Sequence, residues 1–82
     1  MTLDEIKKSP EKVHDIVSAN VKRIRKAKNI TQLDLAHEIG LVGNAYIARA
    51  ENRKKNHHFN IEHLVKIAKV LEVDICEFFE GV

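Results

Sequence analysis

The sequence predicts an all-α fold, a compact bundle of five helices with a further short helix at the N-terminus. Three observations carry this. Apolar residues recur at three- and four-residue spacing through successive segments, the period of a helix buried on one side. Good capping residues stand at the heads of those segments. Only three Gly, one Pro and no Trp occur in 82 residues, a composition that argues for mostly helix.

The elements follow in order. Thr2-Leu3-Asp4-Glu5 has the form of a capping box and opens a short helix over about 3–8. Ser9-Pro10 supplies a cap and a favoured first position for the first main helix. Val13, Ile16, Val17, Val21 and Ile24 give that helix its apolar stripe and carry it to about residue 28, and Asn29 stops it. Thr31 caps a second helix over about 32–39, and a third covers about 44–52. ENRKKNHHFN (51–60) reads as a polar loop. Asn60 caps a fourth helix, with Ile61, Leu64, Val65, Ala68 and Leu71 as its stripe. Asp74 with Glu77 forms another capping box and opens a last short helix carrying Ile75, Phe78 and Phe79. Residues 1–9 are an N-terminal extension and residues 10–82 one domain.

The most informative stretch is TQLDLAHEIGLVGNAYIARAENRKK (31–55). Leu35 and Ile39 lie four apart and face one way. Ala36 is small where a second helix must cross closely. Gly40 stands where the helix must stop, and glycine accepts the positive φ of a helix C-terminus at little cost. Leu41 turns back to the core, and Ile47 with Ala50 gives the next helix an apolar edge. This is the sequence form of a helix-turn-helix, whose second helix enters the DNA major groove.

The net charge of +2 decides little, but its distribution does. Residues 20–60 hold nine Lys and Arg against Asp34, Glu38 and Glu51, while both flanks are net acidic. Positive charge gathered around the reading unit is the footprint of a phosphate-binding face; solvated helix faces are the alternative source of such a pattern. Cys76 is the single cysteine, so no internal disulfide forms, and no run reaches membrane-spanning length. The start, MTLDEIKKSP, lacks the apolar segment of a signal peptide, and a cytoplasmic location is expected.

With these motifs in place the chain resembles the phage repressor and Cro-like helix-turn-helix family, of the lambda-repressor-like fold. NVKRIRKAKNITQLDLAHEIG, YIARAENRKK and FNIEHLVKIAKVLEVDICEFF carry the resemblance, which spans about residues 18–80. Two departures stand out. GLVGNAY (40–46) is one residue longer than the family's usual spacing, so either the turn holds the extra residue or the reading helix begins one residue earlier. Arg53 replaces the glycine that many members carry after that helix, and it cannot take positive φ as cheaply.

The resemblance implies a role for each candidate residue. Gln32, at the head of the second helix, would bond a phosphate, helped by the helix N-terminus. Gly43, Asn44, Ala45, Tyr46, Ala48 and Arg49 would face the DNA. Asn can pair with adenine and Arg with guanine, and alanines allow close approach. Asn44 is equally suited to capping the helix, and Tyr46 to core packing. Arg53, Lys54, Lys55 and Asn56 would follow the phosphate backbone, with Arg23, Lys26 and Lys28 flanking. Arg25 and Glu51 match a paired Arg and Glu that tie the first helix to the reading helix, a structural role.

One helix-turn-helix reads few base pairs, so a homodimer on a two-fold symmetric operator is expected. Ile75, Phe78, Phe79 and Val82 are the candidate dimer surface, with Val73 as an extension. Adjacent phenylalanines point about 100° apart on a helix, so one can enter the core while the other meets a partner. The expected function is a small dimeric transcriptional regulator that binds double-stranded DNA. The alternative is a protein-interaction or antitoxin-type module of the same fold. His57, His58 and His63 lack metal-ligand spacing, and no metal or other cofactor is expected. A loop histidine pair beside phosphates would instead strengthen DNA binding once protonated, below about pH 6.5. No nucleophile, phosphate-cradling loop or carboxylate pair suggests an enzyme.

Overall fold

The computed structural model describes residues 9–82 and places four α-helices among them: α1 (Pro10–Ala27), α2 (Gln32–Glu38), α3 (Ala45–Glu51) and α4 (Ile61–Leu71). The chain then closes with a 3-10 helix, Ile75–Phe79. The expected fifth α-helix is thus a 3-10 segment. Its capping box is present, but the amides of Glu77, Glu80 and Val82 bond back three residues, to Asp74, Glu77 and Phe79, rather than four. The short helix expected over about 3–8 and its capping box lie outside the described residues.

Helix starts follow the side chains foreseen for them. Ser9 accepts from the Lys12 amide at 3.2 Å, Thr31 from Asp34 at 3.0 Å and Asn60 from His63 at 2.7 Å. Each bond satisfies an amide that the first helical turn leaves without a partner. Three helix ends share one device. A residue in the left-handed region follows the helix, and the next amide folds back: Ile30 to Arg25 at 3.2 Å, Leu41 to Ala36 at 2.8 Å, Val73 to Ala68 at 3.0 Å. Asn29, Gly40 and Glu72 occupy those left-handed positions. Gly40, at φ +88, turns the chain from α2 toward α3.

The core gathers Val17, Val21 and Ile24 from α1, Leu35, Ala36 and Ile39 from the α2 region, and Ile47 and Ala50 from α3. Phe59, Leu64, Ile67, Ala68, Leu71 and Phe78 close it. The α4 stripe is rotated from the expected one. Ile67 is fully buried, whereas Ile61 and Val65 are 67% and 43% exposed. Leu64, Ile67, Ala68 and Leu71 repeat at three and four residues just as well, and only this set faces the other helices. Among the described residues no helix is long and apolar enough to cross a membrane.

Candidate nucleic-acid interface

The α2–turn–α3 unit is anchored from beneath by a buried ion pair. Arg25 Nε and Nη2 donate to Glu51 Oε2 and Oε1 at 2.7 and 2.9 Å. Both side chains are almost wholly buried, and Arg25 Nη1 also reaches the Ile30 carbonyl at 2.8 Å. The fork fixes two helix orientations at once, because a bidentate pair allows little rotation. From Glu51 the network climbs to the surface. Gln32 Nε2 donates to Glu51 Oε1 at 3.0 Å, and Asn44 Nδ2 stands 3.5 Å from Gln32 Oε1. The amides of Gln32 and Asn44 therefore sit side by side at the heads of α2 and α3.

Asn44 holds the N-cap position of α3 but makes no side-chain cap bond. Of its two expected uses, side-chain capping is therefore absent from this structure. Its backbone carbonyl accepts from Ala48 at 2.9 Å, and its amide stays exposed beside Gln32. Since α3 begins at Ala45, the additional residue lies in the turn. There Val42 is 98% exposed, and its carbonyl is held 3.2 Å from His37 Nε2. Gly43 and Ala45 are exposed beside it, and Ala48 is half-buried on the same short helix.

Arg49 is exposed at the mouth of a cleft of about 240 Å³ lined also by Tyr46, Ala50, His57 and His58. Among the described residues no acidic side chain lines that cleft. Tyr46 packs edge-on to Phe59 and His63, with centroids 5.9 and 4.5 Å apart, and its hydroxyl accepts from the Asn60 amide at 3.2 Å. Burial raises the phenol above its ordinary pKa, so the hydroxyl keeps a proton to donate.

The loop after α3 departs most from expectation. Arg53 takes the left-handed conformation, φ 53 and ψ 32, that the missing glycine would have made easy. Its guanidinium is not offered to solvent. It pairs with Glu11, donates from Nε to Asp15 Oδ1 at 2.9 Å, and from Nη1 to the carbonyls of Asn56 and His57 at 3.0 Å each. With its side chain 12% exposed, Arg53 is committed to the fold and leaves the set of candidate phosphate contacts. Lys54, Lys55 and Asn56 remain exposed, and Lys55 and Asn56 also have positive φ. Arg23 lies 3.9 Å from Glu80, while Lys26 and Lys28 are exposed.

The proposed dimer residues divide. Phe78 is fully buried in the domain's own core and is removed from that surface. Phe79 and Ile75 are half-buried against the core, and Val82 is 51% exposed. Sequence reasoning overlooked Asn20, whose Nδ2 donates to the carbonyls of Phe78 and Glu80 at 2.9 and 2.8 Å. It also overlooked His14, whose ring stacks on His58 with centroids 3.8 Å apart. The only local signal was a polar row, Glu11, His14 and Asp15, at helical spacing.

The helix-turn-helix family model matches residues 21–78, a span that contains α2, the turn, α3 and α4. No curated protein and no solved structure matches the chain. The matched span and the helical geometry agree, and the chain belongs to the Cro/C1-type helix-turn-helix family, whose members are DNA-binding proteins.

Proposed function

We propose that this protein is a sequence-specific, non-enzymatic regulator of transcription that lays α3 in the major groove of double-stranded DNA. The observation that carries this reading is the juxtaposition of exposed Asn44 at the head of α3, and Ala45 and Arg49 on it, with exposed Lys54 and Lys55 just beyond its end. Base-reading groups lie beside phosphate-neutralising ones, as direct readout requires. Asn44 and Arg49 carry base recognition, with Gly43, Ala45 and Ala48 permitting close approach. Gln32 and Tyr46 contact backbone phosphates, and Lys54, Lys55 and Asn56 add affinity without sequence choice. Removing Arg49 would then cost about 1–3 kcal/mol of specific binding.

Two copies act together on a two-fold symmetric operator, through a surface of Val82 with the exposed parts of Ile75 and Phe79. The test is selection of binding sites from a random duplex library by the purified chain at near-physiological salt. The reading expects an enriched palindrome whose half-site spacing gives the dimer geometry. Folded protein that enriches nothing would overturn it and move the weight to a protein-interaction module of the same fold.

A further inference from the structure

Three of the four residues 53–56 are non-glycine residues in left-handed conformations: Arg53 at φ 53, Lys55 at φ 52 and Asn56 at φ 62. Asn tolerates that region, but Arg53 and Lys55 carry a steric cost in it, which contacts elsewhere must offset. The contacts come from one face of α1. Glu11 and Asp15, four apart, both pair with the Arg53 guanidinium, which in turn bonds the Asn56 and His57 carbonyls. Between them on the same face, His14 stacks on His58 with an interplanar angle of 14°. The gripped segment carries Lys54 and Lys55 outward and supplies His57 and His58 as one wall of the cleft beside Arg49.

We propose that Glu11, His14 and Asp15 of α1 are a clamp that sets the position of the basic loop relative to α3, with Arg53 as the positioning residue on which the clamp closes. The proposal rests on the DNA-binding reading and adds to it a face of α1 outside the helix-turn-helix itself. It assigns two acids on the protein a favourable effect on a polyanion, which Coulomb attraction alone would not give. Lys54 and Lys55 reach phosphates in register with α3 only while the loop is held; released, they still carry charge but no longer share one rigid surface with Arg49.

The experiment uses the full chain and the double variant Glu11→Gln/Asp15→Asn, both changes on exposed side chains. Two readouts are taken on protein whose helical circular dichroism matches wild type. One is the rate of tryptic cleavage after Lys54 and Lys55, followed by mass spectrometry in the absence of DNA. The other is anisotropy binding to a fluorescein-labelled mixed-sequence duplex at low salt. The clamp predicts cleavage about fivefold faster, the size expected for losing two partly exposed ion pairs, together with weaker duplex binding despite two fewer negative charges. Unchanged cleavage overturns the clamp. Faster cleavage with equal or tighter duplex binding overturns its role in DNA recognition. A wild-type chain that binds no duplex overturns the DNA reading, and the cleavage rates still decide whether the clamp exists.

Discussion

Arg25 and Glu51, twenty-six positions apart in the chain, meet in a bidentate fork at 2.7 and 2.9 Å in the interior beneath α3. Glu51 is the shared acceptor of Arg25 and Gln32, so it links the core of the domain to the head of α2. Glu51→Ala leaves a buried guanidinium without its counter-charge and is expected to destabilise the fold by about 3–5 kcal/mol. Urea denaturation measures this, and a midpoint equal to wild type would refute the structural role.

Asn20 joins α1 to the closing 3-10 helix by two hydrogen bonds, its Nδ2 donating to the carbonyl of Phe78 in the last turn and to that of Glu80 just after it. Asn20→Ala is expected to cost about 1–2 kcal/mol, the sum of two ordinary hydrogen bonds. Amide hydrogen exchange should accelerate at residues 78–82 more than in α2 or α3. Uniform acceleration along the chain would show that Asn20 does not act locally.

The clamp histidine gives a pH dependence with a definite sign. Burial lowers the pKa of His14 below its ordinary 6.5, aided by the like charges of His58 and Arg53 and opposed by Glu11 and Asp15. The folded chain therefore binds fewer protons at His14 than the unfolded chain, and its stability falls as pH drops below about 6.5. The loss is complete once pH passes below the lowered folded value. His14→Gln should flatten the dependence of the urea midpoint on pH between about 7.5 and 5. An unaltered pH profile in the variant would contradict the assignment.

Lys54 and Lys55 are exposed, and their expected partners are phosphates rather than bases. Replacing either by Ala should weaken binding to all duplexes alike and reduce the slope of log K against log salt by about 1. A loss confined to one sequence would make the residue a base reader instead.

Much of this arrangement is legible in the sequence because it is local. The caps at Ser9, Thr31 and Asn60 each need one side chain and an amide three residues on, and each formed as read. Gly40 and the apolar spacing around it mark the helix-turn-helix for the same reason. Reading fails where the partner is distant. Arg53 looks like a phosphate contact by its position after α3, and only the folding of α1 against the loop brings Glu11 and Asp15 to it. Phe78 and Phe79 present one core residue and one half-buried residue, but neighbours decide which is which. In α4 two overlapping stripes satisfy the same period, and packing against the other helices selected Ile67 over Ile61 and Val65.

Amide chemical-shift mapping of the isotope-labelled chain, titrated with a duplex enriched from the random library, shows directly which surface meets DNA. Major-groove docking of α3 predicts shifts concentrated at Gln32, residues 42–49 and residues 54–58, with the Ile61 and Val65 face of α4 unmoved. Shifts centred on α4, with α3 and the basic loop unmoved, would contradict it.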